Sequence, residues 1–231
     1  MKPQTSGTLI WDIPTRLFHW VLFLCVSGAF LSAWFYQYIP FLAHEICGAT
    51  ALVLIAFRLF WGFVGPAHAR FSDFLRGPKA TFSYLRAVFQ RESPPISGHT
   101  PTGGWMILLL LLLVGAQASL GLFSNDETDS AGPFYAWVSH STSNKLSGLH
   151  ELVADCLMVA IALHVIAVIF YKVVLKEDLV RALLTGRRHG VPESAAISSH
   201  RLGLAIVILV VCAALLVWLI RIAPPLPSVL M

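Results

Sequence analysis

The sequence predicts an all-α membrane protein: a four-helix transmembrane bundle with a fifth transmembrane helix added at the C-terminal end. Three observations predict it. Of 231 residues, 57% are hydrophobic and only 12% are charged, about half the charged share of a soluble domain. The mean hydropathy is +0.74. The apolar residues fall into discrete runs of about 20, the length that crosses a bilayer core.

Taken in order, the runs are 17–39, 43–64, 105–123, 149–171 and 202–222. The first follows Met1 to Trp11, a stretch without an apolar core and cleavage site, which does not read as a signal peptide. The third is the purest, almost entirely leucine from Met106 to Val114. The fifth, Leu202 to Ile220, carries no charge or histidine and reads as an anchor. The chain is therefore divided into a four-helix region, 1–190, and a segment 191–231 holding linker, fifth helix and a tail in which Pro224 to Pro227 stop the helix. No repeat and no separate soluble domain is visible.

The Lys/Arg distribution sets the expected orientation. The loop after the second run holds Arg70, Arg76, Lys79, Arg86 and Arg91, and the loop after the fourth holds Lys172, Lys176, Arg181, Arg187 and Arg188, against Lys145 alone on the other side. The positive-inside rule puts the N-terminus in the cytoplasm and the C-terminus, after five spans, outside. The net charge of +4 is thus a topology signal rather than a nucleic-acid surface.

Two loops carry further pattern. From Pro78 to Arg91, Phe82, Leu85, Val88 and Phe89 recur at helical spacing, which fits an interfacial helix or a helix packed on the bundle. The outer loop, Ser124 to Ser147, clusters Asp126, Glu127 and Asp129; it reads as a solvated turn or as a dock for a basic partner.

Ionisable groups inside a membrane span are costly and mark function. His19, His44, His150 and His164 fall inside the runs, whereas His68, His99, His140, His189 and His200 lie in loops or at span edges. His150 and His164 are fourteen residues apart, which returns them to within roughly 40° of one helix face, about 21 Å apart along the axis. With the orientation above, His44 and His150 share the outer depth, and His19 and His164 the inner one. A single membrane histidine is commonly just a hydrogen-bonded polar residue; four at two matched depths point to paired axial ligands of iron, two b-type haems held by bis-histidine ligation. A zinc site would want a third donor that the sequence does not supply there, and Gly48 and Ala154 break any His-Glu-x-x-His motif. Cys25, Cys47, Cys156 and Cys212 form no Cys-x-x-Cys pair, so neither covalent haem attachment nor a cysteine cluster is indicated. Gly48 and Gly28 lie near the ligand faces, where a flat macrocycle or simply another helix could approach. Arg16 and Arg58 are candidates for haem propionates, or else snorkel to headgroups.

The segments Trp-Asp-Ile-Pro-Thr-Arg-Leu-Phe-His-Trp (Trp11 to Trp20), His-Glu-x-x-Gly from His44, Arg-Leu-Phe-Trp-Gly (Arg58 to Gly62), Gly-His-Thr-Pro-x-Gly-Gly (Gly98 to Gly104) and the pair His150 and His164 resemble the bacterial cytochrome b561 family. They are closest to its branch of nickel-iron hydrogenase cytochrome b subunits, over about Ile10 to Arg188. The resemblance implies a four-helix bundle with two b haems on His19, His44, His150 and His164. It also implies exchange of electrons between an outer partner and membrane quinone. Many relatives read Gly-His-Asn-Pro where this chain has Thr100, and in the related formate dehydrogenase subunit the region borders the quinone site. His99 and Thr100 are the corresponding candidates here, since a hydroxyl also hydrogen-bonds a quinone carbonyl. The fifth helix departs from the core family.

The expected protein is an inner-membrane, multi-pass dihaem cytochrome b of a respiratory chain. It relays electrons between a periplasmic partner, a c-type cytochrome or a nickel-iron hydrogenase, and the quinone pool. The alternative is a stand-alone oxidoreductase acting on superoxide or another small substrate at the outer haem, coupled to quinone.

Overall fold

The computed structural model describes residues 7–90, 97–128 and 130–225; Met1, Arg91, Asp129 and Pro227, named above, lie outside them. The order of elements is β1 (Thr8–Leu9), α1 (Ile13–Trp34), α2 (Phe41–Val64), α3 (Phe71–Phe74), α4 (Pro78–Phe89), α5 (Pro101–Gly121), α6 (His140–Val173), α7 (Leu179–Thr185), β2 (Arg187–Arg188) and α8 (Leu202–Ile222). Among the described residues α1, α2, α5, α6 and α8 are long and apolar enough to cross a membrane. Their outward faces are made of Leu, Val, Ile and Phe, the surface lipid requires. The protein is a multi-pass membrane protein.

Helix ends differ from the apolar runs, for local reasons. The first helix starts at Ile13 because Asp12 caps it: its carboxylate accepts from Thr15 N at 2.8 Å and from Thr15 Oγ1 at 2.7 Å. The fourth starts at His140, nine residues before the run expected at 149. Ser139 Oγ accepts from Thr142 N at 3.2 Å, and Ser143, fully buried, donates to Phe123 O at 2.7 Å. Hydropathy misses this polar first part. At 34 residues the helix is about 51 Å long, well beyond a hydrocarbon core of about 30 Å, so its polar turns stand outside the bilayer.

The chain divides into two compact units. The first gathers Met1–Phe18, Arg58–Leu109 and Ile161–Ala205. The structure is mostly helical, and here a two-residue ladder is added to it: β1 pairs antiparallel with β2, Thr8 opposite Arg188 and Leu9 opposite Arg187. Ile10 and Trp11 both donate their N–H to Gly186 O, at 2.8 and 3.1 Å. Gly186 ends α7 at φ +78°, a left-handed cap suited to glycine. Ile10, Trp11 and Ala182 form a small core. The helix foreseen from Pro78 to Arg91 forms as α4; it packs through Tyr84 and Val88, with Tyr84 Oη 2.9 Å from Tyr171 Oη, and leaves Phe82 and Phe89 exposed.

The second unit gathers His19–Phe57, Leu110–Ala160 and Ile206–Met231. Asn125 ties its loop to α6: its N–H donates to Ser147 Oγ at 2.9 Å, and its side-chain amide donates to Ser143 Oγ and to Asn144 Oδ1. Of the acidic loop residues, Asp126 accepts from Thr128 N and Ser130 N, and Glu127 accepts from the Asn144 amide. Burial acts to raise the Asp126 carboxyl, yet these donors hold it below its ordinary value.

Candidate functional site

Within the second unit α2 and α6 bring His44 and His150 together, with ring centroids 6.2 Å apart and planes at 72°. Both side chains are partly buried. His44 Nδ1 lies 3.0 Å from Ala29 O on α1, and His150 Nδ1 lies 3.0 Å from Gln117 O on α5. A carbonyl can only accept, so each Nδ1 carries the proton and each Nε2 presents its lone pair. Gln117 Nε2 donates to His150 Nε2 at 3.0 Å, which fits that tautomer. Phe41 stacks on the His44 ring at 5.8 Å, and Ser32 Oγ is 3.4 Å from His44 Nδ1.

Two imidazoles that shared one metal ion through bonds of about 2 Å would have centroids roughly 6 Å apart. The observed separation fits that donor set. A side chain added at Gly48, one turn after His44, would meet nothing within 4 Å, which leaves room beside the ligand face. Gly28 serves a helix contact instead, since a Cβ there would come 2.8 Å from Cys47 Sγ. Among the described residues no three His, Cys, Asp or Glu side chains converge, so the donors offered are paired imidazoles. Sequence reasoning missed Gln117 and Ala29. Gln117 is visible in hindsight as an amide inside the leucine-rich run; a backbone carbonyl such as that of Ala29 leaves no mark in a sequence.

His19 belongs to the second unit and His164 to the first. Each is partly buried on its own helix, and the His19 ring lies edge-on to Trp20 at 5.4 Å.

The remaining candidates lie in the first unit. Arg58 is 2% exposed, so it does not snorkel. Its guanidinium sits over Phe71 at 5.2 Å and Phe74 at 5.7 Å, and among the described residues its buried Nη1 has no hydrogen-bond partner. Buried Asp12, which also accepts from Trp61 Nε1 at 3.2 Å, attracts it electrostatically. Arg16 caps α7, donating Nε to Leu183 O at 2.9 Å and Nη2 to Leu184 O.

His99 lies between Trp11 and Phe74, with centroids at 4.4 and 4.8 Å. The residue is partly exposed, while its Nδ1 is enclosed and without a partner among the described residues. Burial, then the charges of Arg58, His68 and Arg188, push its imidazole down to about 3. Thr100 caps α5, its Oγ1 accepting from Gly103 N at 3.0 Å. Gly98 lies against His68, where a Cβ would come 2.9 Å from the ring.

The model of the prokaryotic cytochrome b561 family matches residues 10–186. A probable Ni/Fe-hydrogenase B-type cytochrome subunit of Rhizobium leguminosarum bv. viciae is 21% identical over 216 residues, which cover 80% of this chain and 90% of that protein. A probable Ni/Fe-hydrogenase B-type cytochrome subunit of Rhodobacter capsulatus is 24% identical over 220 residues, 80% of this chain and 82% of that protein. No solved structure matches significantly.

Proposed function

We propose that this chain, which belongs to the prokaryotic cytochrome b561 family, carries electrons across the membrane on two b-type haems, one held by His44 and His150, the other by His19 and His164. Membrane electron transfer on b-type haem is the family's function. The single observation that carries the reading further is the His44–His150 pair, with its 6.2 Å separation and both Nδ1 protons directed at carbonyls.

A bound haem supplies a one-electron iron couple. The chain's part is to hold and tune it. Ala29 O and Gln117 O fix the tautomer and orientation of the two rings and make them more basic ligands. Two imidazole donors per haem would leave the bound iron to electron relay rather than to chemistry on a small molecule. The pairing of His19 with His164 rests on their matched depth in sequence. Arg58, with a buried free Nη1, is the propionate partner we favour. Arg16 has two guanidinium nitrogens on the carbonyls of α7 and is the lesser candidate.

The inner exchange partner in this reading is membrane quinone near His99 and Thr100, supported by the buried Nδ1 of His99 between two aromatic rings. The outer partner is a nickel-iron hydrogenase, after the names of the relatives, or a c-type cytochrome. The basic loops support a bacterial inner-membrane protein with its N-terminus in the cytoplasm.

Purified protein tests the core of the proposal. A pyridine haemochrome assay is expected to count two b haems per chain, with a reduced-minus-oxidised α-band that added quinone discharges. A chain without haem would overturn the reading; a haem-loaded chain inert to quinone would overturn only the inner exchange.

A further inference from the structure

Between the end of α2 and the start of α8 the first unit holds a recess of about 170 Å³, lined by Pro66, Ala67, Arg70, Ser198, Ser199 and Arg201 among others. We infer that this recess binds the phosphate of an anionic phospholipid.

Position is the first argument. Val64 ends one membrane-crossing helix and Leu202 begins another, so residues two to six beyond Val64 and just ahead of Leu202 lie at headgroup level. At the helix ends next to the recess Phe63, Val64 and Leu202 are exposed, an apolar bed for acyl chains. The lining itself includes two exposed arginines and two exposed serines, whose N–H and O–H groups match a phosphate.

The recess is also built rather than incidental. Its two walls are tied together at both ends: Arg201 Nη1 donates to Val64 O at 2.6 Å, and His68 Nε2 donates to Ala195 O at 2.8 Å. Ile197 N donates to Leu9 O at 3.0 Å, pinning the wall from behind. Arg201 is held at φ +50°, a left-handed conformation that an arginine rarely adopts, and its N–H is anchored on Ser199 Oγ at 3.2 Å. This turn leads into the 21-residue α8, whose N-terminal end, next to the lining residue Arg201, favours an anion.

Native mass spectrometry of the full-length protein tests this with dioleoyl phosphatidylglycerol, the phosphatidylcholine of the same chains, and inorganic phosphate. The wild type is expected to retain phosphatidylglycerol at least tenfold better than phosphatidylcholine, and R70Q/R201Q to lose that preference. R70Q alone, which keeps the Arg201 tie to Val64, is expected to lose most of it and decides the matter if the double variant does not fold. K79Q/R86Q, with the same charge removed from α4, is expected to keep it. Equal retention by the arginine variants, equal loss in K79Q/R86Q, or displacement of the lipid by an equal concentration of inorganic phosphate would each overturn the inference.

Discussion

His44 and His150 face one another at 6.2 Å, and one device fixes both: an Nδ1–H given to a backbone carbonyl of a neighbouring helix. Each ring therefore keeps Nε2 as its acceptor atom, which in His150 takes the Gln117 amide at 3.0 Å. Replacing either histidine by alanine is expected to halve the haem content from two to one per chain while the other haem keeps its spectrum. Loss of both haems in H150A would mean that the sites are not separable.

Arg58 places a buried positive charge over Phe71 and Phe74. A nearby cation stabilises reduced haem, so R58Q is expected to lower the midpoint potential of one haem and leave the other unchanged. A spectroelectrochemical titration resolves the two. Equal shifts, or none, would remove Arg58 from the propionate role.

Asp12 accepts three hydrogen bonds at the start of α1. Asp12→Ala is expected to cost about 1–2 kcal/mol for the lost cap, and more where Trp61 Nε1 is left without an acceptor. Thermal unfolding followed by circular dichroism measures it; Asp12→Asn, which retains a capping oxygen, is expected to recover most of the loss.

His99 gives a pH dependence of known sign. Burial and the neighbouring cations push it down to about 3 in the fold, whereas the unfolded imidazole titrates near 6.5. The unfolded chain thus binds the extra proton between those values. Stability from this residue is complete above about pH 6.5 and falls as pH drops toward 3, by at most about 1.4 kcal/mol per unit. His99→Phe is expected to flatten that slope in unfolding midpoints measured from pH 4 to 7; an unchanged slope would place the titration elsewhere.

The membrane helices were legible because a span must be apolar all along its length, a signal no loop can imitate. Their ends were less so. The polar start of α6 at His140 depends on Ser139 and Ser143 finding partners, and the start of α1 on Asp12 finding Thr15 and Trp61. The loop motifs likewise carried more structure than pattern reveals: Thr100 is a helix cap, Gly98 gives way to His68, and Arg16 closes the carbonyl end of α7.

The sequence by itself determined that this protein crosses the membrane, which segments do so, and which imidazoles fall within them. Periodicity and hydropathy are properties of each segment alone. Only the tertiary structure decided that Ala29 O and Gln117 O set the histidine tautomers, that Arg58 is enclosed rather than snorkelling, and that β1 returns to pair with β2. Those are choices of partner between residues far apart in the chain. Backbone carbonyls, which every residue carries, make half of them, so no residue type announces them.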